Sequence, residues 1–217
     1  MPITRLFRLV ADPTQLDRFG SVGEQNLMTS ITNEPGTLSM NATHLPADAS
    51  VNYVFEIYAD QAAYEVHAAS PQFKAYGTMA SEVLTGRSVF PCNPQLLLEK
   101  SEALRATSAS AVAPRLARVV VPAENDVAFR DAVFTNMRAS VAGEPGVLAM
   151  YAVTLADDPT TWYFWEVYAS EESYAAHRET AHFKTYIAAT ADLVSDKELT
   201  PLVPDTLVNQ GGLSWQA

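Results

Sequence analysis

Residues 34–40 read Glu-Pro-Gly-Thr-Leu-Ser-Met, and residues 144–150 read Glu-Pro-Gly-Val-Leu-Ala-Met. The two segments are 110 positions apart, and the same offset relates the residues that follow them without a gap. Between residues 34–76 and 144–186, 17 of 43 positions are identical. Self-similarity at one fixed offset is typical of a repeated structural unit. The sequence therefore predicts a tandem duplication.

Both copies show the same order of predicted elements. A short β-rich run opens each copy, and an amphipathic helix follows it and ends at Glu-Pro-Gly, where we expect the glycine to permit a turn. Two strands come next, then a helical stretch over about 60–84 that is broken at Ser70-Pro71, and then a last strand. The predicted strands are 3–10, 37–45, 51–59 and 87–98 in the first copy and 115–121, 147–155, 161–169 and 197–208 in the second.

The order β-α-β-β-α-β predicts an α+β fold of two tandem ferredoxin-like domains, each an antiparallel sheet with helices on one face. We place the domains at residues 1–104 and 113–217, joined by a linker of small and polar residues at 105–112. Strands 51–58 and 162–168 are apolar on both faces, which indicates a second covering layer. We therefore expect the two sheets to face each other as an internal pseudo-dimer of the dimeric α/β-barrel type.

The composition excludes several classes of protein. The 217 residues include 14 basic and 25 acidic side chains, a formal net charge of −11, which disfavours binding to nucleic acid or to anionic lipid. No apolar run is long enough for a membrane span, and residues 1–5 do not resemble a signal peptide. The single cysteine, Cys92, cannot form an intramolecular disulfide and is predicted to be structural. We expect a cytoplasmic protein without nucleic-acid or membrane partners.

Glu56 and Glu166 occupy equivalent positions in the middle of the most apolar strands. A carboxylate among apolar neighbours must be paired, hydrogen-bonded or protonated, and burial would make it a plausible proton acceptor. The alternative is a structural carboxylate that binds Arg5, Arg8 or a tyrosine hydroxyl of a neighbouring element.

His67 and His177 each follow a tyrosine, Tyr64 or Tyr174, by three residues, which places the two rings on one face of a helix. A histidine tuned near neutral pH can remove a proton from a phenol, so both are candidate general bases. The alternative is a partly buried histidine that binds a backbone carbonyl. His182 has no histidine counterpart in the first copy. No histidine spacing typical of a metal site occurs, so we predict no metal.

The segment from Gly36 to Tyr76 resembles the antibiotic biosynthesis monooxygenase (ABM) family. The resemblance is carried by Glu-Pro-Gly before the second strand, an aromatic–Glu pair at 55–56, the helical histidine and Ser-Pro-Gln-Phe-Lys at 70–74, and the second copy repeats most of this pattern. The resemblance implies a fused pair of ferredoxin-like domains and no cofactor. It also implies oxidation of a quinol, anthrone or related polycyclic phenol by molecular oxygen in an apolar, aromatic pocket.

On this interpretation the histidines act as bases and the glutamates orient the histidine or the substrate. The second copy is expected to be the more pocket-like, because it has more aromatic residues. The candidate pocket residues are Tyr58, Tyr64, Trp162, Phe164, Trp165, Tyr168 and Tyr174. The haem-degrading branch of the family fits poorly, because Gly77 and Ile187 stand where its iron ligand would align.

Two other functions stay open at this point. One is a small-molecule binding or stress-response module without catalysis, and the other is a non-oxidative isomerase or cyclase that works by proton transfer alone. The sequence leaves open the identity of the substrate, the number of working halves and further association into homo-oligomers.

Overall fold

A computed structural model of the chain describes all 217 residues, Met1–Ala217. Each repeat folds in the predicted order of strands and helices, and the whole is an α+β protein. The elements of the first repeat are β1 (Ile3–Ala11), α1 (Leu16–Asn33), β2 (Thr37–Leu45), β3 (Asp48–Tyr58), α2 (Gln61–Ala69), α3 (Pro71–Val83) and β4 (Leu84–Glu99). They are followed by β5 (Arg105–Thr107), β6 (Ala113–Val120), α4 (Asp126–Gly143), β7 (Val147–Leu155), β8 (Thr161–Tyr168), α5 (Glu171–Glu179), α6 (Ala181–Thr190), β9 (Asp196–Pro201), β10 (Val203–Asn209) and β11 (Ser214–Gln216).

The chain forms two compact units, and each unit takes a strand from the other repeat. The first unit consists of residues 1–92, 102–110 and 202–211, and the second of 93–101, 111–201 and 212–217. In the first unit β10 pairs with β2, so the strand predicted over 197–208 is two strands with different neighbours. The predicted linker also contains a strand, β5, which pairs with β10.

The strands of both units pair antiparallel, and equivalent strands of the two repeats pair through equivalent residues. In the first unit the strand order is β5-β10-β2-β3-β1-β4, and in the second it is β4-β7-β8-β6-β9, with β11 on β4. The third strand of each repeat is central: β3 lies between β1 and β2, and β8 lies between β6 and β7. This places Glu56 opposite Arg5 and Glu166 opposite Arg115.

Side-chain caps divide the helical stretch after the third strand as the Ser-Pro break predicts. The Ser70 side chain accepts from the backbone N–H of Phe73, and Pro71 occupies the first helical position of α3, where no N–H is needed. In the second repeat Thr180 caps α6 in the same way, through the backbone N–H of Phe183. These caps fix α2 and α3, and likewise α5 and α6, as separate helices.

The glycine of Glu-Pro-Gly serves close packing rather than a left-handed turn. Gly36 does not have a positive φ angle, but a Cβ atom there would lie 2.4 Å from the Cβ of Ala63 on α2. A Cβ on Gly146 would lie 2.4 Å from the Ser173 hydroxyl oxygen on α5. The expected turn is present, closed by the Thr37 N–H on the Glu34 carbonyl at 2.9 Å, and the missing side chain of the glycine also lets a helix approach the backbone.

None of the six helices is both long and apolar enough to cross a bilayer.

Candidate functional site

Strand alternation builds one cavity wall in the first unit. Glu56 and Val54 project from the same face of β3, and their partners on β1 are Arg5 and Phe7. This face lines a cavity of about 440 Å³, whose other walls come from α2, α3 and the start of β4. The lining residues that matter here are Arg5, Phe7, Val54, Glu56, Tyr64, Phe73, Tyr76 and Arg87.

A smaller chamber of about 190 Å³ adjoins this cavity on the side of α1 and β2. Three residues, Val54, Glu56 and Tyr76, line both spaces. The chamber also has polar lining at His44 and Asp205, whose Nδ1 and Oδ1 atoms are 2.8 Å apart. Glu56 therefore stands at the junction of two spaces, one mainly over β1 and the other over β2.

The second unit has its own cavity, of about 500 Å³. Glu166 lines it at the position equivalent to Glu56, with Tyr174, Phe183 and Tyr186 at the positions of Tyr64, Phe73 and Tyr76. The other lining residues that matter here are Ala117, Val133, Asn136, Phe164, Arg178 and Lys197. Each unit thus presents the glutamate of its central strand to an aromatic cavity, and Glu198 also lines the cavity of the second unit.

A neighbouring tyrosine holds each carboxylate. The Tyr58 hydroxyl donates to Glu56 Oε2 at 2.9 Å, and the Tyr168 hydroxyl donates to Glu166 Oε2 at 2.7 Å. Burial raises the pKa of both carboxyls above their usual value near 4.5, although the tyrosine bonds and nearby cations oppose the shift. A cavity carboxylate with a raised pKa is a stronger proton acceptor than an exposed one.

His67 lies behind the cavity wall that carries Glu56 and does not line the cavity. Its side chain is completely buried, and its Nδ1 atom lies 3.0 Å from Glu34 Oε2, so Nδ1 carries the proton. Glu34 also accepts from the Thr37 hydroxyl at 2.7 Å and from the Gln72 amide at 2.5 Å. The ring packs against Phe73, and its Nε2 atom has no hydrogen-bond partner. His67, predicted as a general base, does not line the cavity.

The second unit repeats the buried pair with one change. His177 Nδ1 lies 2.9 Å from Glu144 Oε1, and His182 Nε2 lies 2.7 Å from the same oxygen, at the position where Gln72 serves Glu34. Burial raises the pKa of Glu144, but the two histidine bonds outweigh it and lower the pKa overall. His177 does not line the cavity either.

Glu144, His177 and His182 are also the residues that could hold a metal ion. Their potential ligand atoms lie within 4.8 Å of one another, and two imidazoles with one carboxylate suit Zn²⁺. The sequence spacing did not indicate this cluster, because Glu144 comes from the end of α4 and the histidines from α5 and α6. Hydrogen bonds within the cluster already satisfy the Glu144 oxygen that faces both rings.

The predicted aromatic residues divide into three groups. Tyr64, Tyr174 and Phe164 line the cavities, as the sequence predicted. Tyr58 and Tyr168 are fully buried and act through the glutamates that they hydrogen-bond. Trp162 and Trp165, which were predicted to line a pocket, are 0% and 1% exposed and line neither cavity.

Trp162 of the second unit fills space rather than enclosing it. Trp162 packs against Phe129 at 5.4 Å and stacks on Phe164 at 5.9 Å between ring centroids. At the equivalent positions the first unit has the smaller Asn52 and Val54, which line the chamber beside Glu56. Large rings between sheet and helices thus occupy, in the second unit, the volume that the small chamber has in the first.

Sequence reasoning missed several cavity residues. Phe73, Tyr76, Phe183 and Tyr186 line the cavities and are identical between the copies, yet they were used only to establish the repeat and the family resemblance. Arg5 was considered only as an ion partner, but it lines the first cavity and its guanidinium lies over the Tyr64 ring, 3.8 Å from the centroid. The Arg115 guanidinium lies in the same way over the Tyr174 ring, 4.6 Å from the centroid. Helical periodicity after the third strand could have identified the aromatic residues of α3 and α6 as members of one helix face.

Comparison with known proteins agrees with this architecture. The profile of the family described as antibiotic biosynthesis monooxygenase matches residues 2–78 and 115–189. A candidate monooxygenase from Lactobacillus acidophilus NCFM is 30% identical, with a TM-score of 0.93 and coverage of 99% of both chains. No functionally curated protein matches the sequence.

Two further structures share the fold. A candidate monooxygenase from Fusobacterium nucleatum is 23% identical, with a TM-score of 0.90 over 100% of this chain and 98% of that one. An anthrone oxidase-like protein is 14% identical, with a TM-score of 0.60 over 97% and 94%. The duplicated βαββαβ unit, the buried Glu–His pair and the two profile matches together show that this chain belongs to the antibiotic biosynthesis monooxygenase family, with two copies of its domain.

Proposed function

We propose that the protein is a monooxygenase that oxidises a quinol, anthrone or related polycyclic phenol with molecular oxygen, and that Glu56 and Glu166 accept the substrate proton. The observation that carries the proposal is the position of each glutamate: a carboxylate with a raised pKa, buried at Glu56 and part-buried at Glu166, on the wall of an aromatic cavity. Family membership and the candidate monooxygenase from Lactobacillus acidophilus support the same reaction class.

The substrate itself supplies the electrons in this proposal. The glutamate removes a proton and leaves an electron-rich phenolate or carbanion, which gives an electron pair to oxygen and forms a carbon–oxygen bond. Cleavage of the O–O bond then leaves one oxygen on the substrate carbon as a carbonyl. The other oxygen leaves as water with two hydrogens of the substrate, both from the oxidised carbon of an anthrone, or one from that carbon and one from the hydroxyl of a phenol or quinol. The protein contributes the base, an apolar cavity and orientation.

The roles of histidine and glutamate are the reverse of those expected from sequence. His67 and His177 are buried behind the cavity wall, and each is bound to a second glutamate, Glu34 or Glu144. Their rings pack 5.4 Å from the rings of Tyr58 and Tyr168, the residues that hold the cavity carboxylates. We assign them as positioning residues that act through these tyrosines.

Oxygen consumption tests the proposal directly. The purified protein would be mixed with reduced naphthoquinones and anthrones in an oxygen electrode, with autoxidation subtracted and a chelator present. We expect protein-dependent uptake of one O₂ for each substrate oxidised. Ligand binding without uptake would instead favour a binding module, and conversion of substrate without oxygen would favour an isomerase or cyclase.

The pH profile should report the cavity carboxylates. Because burial raises the pKa of Glu56 and Glu166, the fraction able to accept a proton grows as pH rises through a value above 4.5. We expect kcat with a substrate of constant ionisation to rise about tenfold per pH unit below that pKa and then level off. A profile governed by a histidine would instead persist in the Glu56→Gln and Glu166→Gln variants.

Replacement of the histidines should separate positioning from proton transfer. His67→Phe keeps the ring packing against Phe73 but removes the donor to Glu34, and we expect a loss of about 1–3 kcal/mol in the free energy of unfolding. With His177→Phe added, turnover should fall by less than about tenfold, and the pH at which kcat levels off should move upward, because each histidine lowers the pKa of the cavity carboxyl beside it. If the double variant lost all turnover while its stability was unchanged, the histidines would be the general bases and the positioning role would be contradicted. Chemical denaturation and steady-state kinetics on one preparation supply both readouts.

A further inference from the structure

The small chamber of the first unit contains a buried polar atom with no partner. Asn26 on α1 is 3% exposed and lines the chamber, and its Oδ1 atom has no hydrogen-bond partner. A buried unpaired oxygen destabilises a fold, and asparagine is a poor helix former, so stability gives no reason for this residue. A ligand that donates to this oxygen would satisfy it once rotation of the amide brings it to the chamber wall, because the Oδ1 atom itself has less than 1 Å² of accessible surface.

The second unit repeats this feature. Asn136, 110 positions later, is 6% exposed, lines the 500 Å³ cavity and also has an Oδ1 atom without a partner. Each unit therefore offers a ligand two separate groups: a carboxylate on the sheet and an unpaired amide oxygen on the first helix of the repeat. Groups on opposite walls can hold the two ends of one molecule.

The chamber exists because small residues line it where the second repeat has larger ones. Gly20 and Gly23 on α1 correspond to Arg130 and Val133, and Asn52 on β3 corresponds to Trp162. In the second unit the Arg130 guanidinium lies over the Trp162 ring, 5.0 Å from its centroid, so these two side chains occupy that region. A Cβ atom built on Gly20 or Gly23 meets nothing within 4 Å. The space is therefore open toward the helix.

We propose that this chamber is a subsite of the first unit for an aromatic ring that bears a hydroxyl group, with Asn26 Oδ1 as the acceptor of the hydroxyl proton. The ligand extends across Glu56, so that its reacting end lies in the 440 Å³ cavity and its second ring lies in the chamber. The orientation of the reacting end rests on the proposed function of Glu56. The hydroxyl contact with Asn26 rests on the chamber alone.

Binding without oxygen tests the subsite separately from catalysis. The probes are 2,6-dihydroxynaphthalene, with a hydroxyl at each end, and 2-naphthol, with one, and calorimetry under anaerobic conditions measures both sites of the whole chain. We expect the unchanged protein to bind the diol about three- to tenfold more tightly. Asn26→Leu should abolish this preference at one site, and the matched Asn136→Leu variant should abolish it at the other.

Gly23→Val supplies a second variant that is expected to fold, because it adds volume only to open space and copies Val133 of the second unit. Gly23→Val should lower the affinity of the first-unit site for the diol at least tenfold and leave its affinity for 2-naphthol unchanged. Equal affinities for the two probes in the unchanged protein, or no effect of Asn26→Leu and Gly23→Val, would overturn the subsite. Diol binding that follows Asn26 in a protein that takes up no oxygen would support the subsite and contradict the oxygenase proposal.

Discussion

The double variant Glu56→Gln, Glu166→Gln is expected to lose at least 100-fold in kcat, because general-base catalysis contributes about 10²–10⁴ to such reactions. Glutamine keeps the size of the side chain and an oxygen that can accept from Tyr58 or Tyr168, so the cavity should keep its shape. Substrate affinity should change much less than kcat. Steady-state oxygen uptake, with KM and kcat fitted separately, measures both quantities.

The single variants show which unit works. If both units work, each single variant should keep about half of the turnover, and if one works, one variant should be inactive. Glu82→Gln is the matched control, since this carboxylate is 54% exposed, pairs with Arg18 and lines neither cavity of its unit. Full turnover in the double variant would contradict the role assigned to the glutamates.

Stability should move in the opposite direction to activity. The pKa of Glu56 is raised in the folded protein, so the carboxyl contributes stability when protonated and this contribution is lost as pH rises through the folded pKa. Glu56→Gln should therefore unfold at the same or a higher temperature than the unchanged protein at neutral pH. Thermal unfolding of the variants used for kinetics checks that lost turnover does not come from lost folding.

Trp162→Ala is expected to lower the free energy of unfolding by about 3–5 kcal/mol, the usual cost of truncating a fully buried large aromatic side chain. The ring is 0% exposed and packs against Phe129, Phe164 and the guanidinium of Arg130. Its indole N–H has no hydrogen-bond partner, so the expected loss comes from packing alone. Denaturant titration followed by circular dichroism measures it.

Val127→Ala in the same unit is the matched control, because Val127 is 72% exposed and its truncation should change stability by less than about 0.5 kcal/mol. If Trp162→Ala lowered the free energy of unfolding by less than about 1 kcal/mol and raised KM strongly, Trp162 would be a substrate-binding residue and not a core residue. The two readouts therefore separate a core residue from a binding residue.

The duplication and the order of elements could be predicted from sequence, because they depend on local periodicity and on identities at one offset. The helix break at Ser70-Pro71 is a local matter as well, since a serine cap and a proline act on the backbone beside them. Glu56 and Glu166 were found for the same kind of reason: a carboxylate in an apolar strand is visible in the alternation of the strand itself.

The partners of the buried groups could be decided only by the tertiary structure. Glu34 and His67 are 33 residues apart, and their contact depends on how α2 packs beside the end of α1. Aromatic residues show a similar limit: Phe164 lines a cavity, whereas Trp162 fills the core two residues earlier. Alternation places both on one face of the strand, but volume across the layer decides which ring meets empty space.

For this protein, sequence alone determined the duplicated α+β fold, the family and the two strand glutamates, because each depends on short-range pattern. The tertiary structure decided that the histidines lie behind the cavity wall, that β10 joins the first unit, and that Asn26 and Asn136 face cavities. These features depend on contacts between residues far apart in the chain, where packing and hydrogen-bond satisfaction choose among side chains that local pattern leaves equivalent.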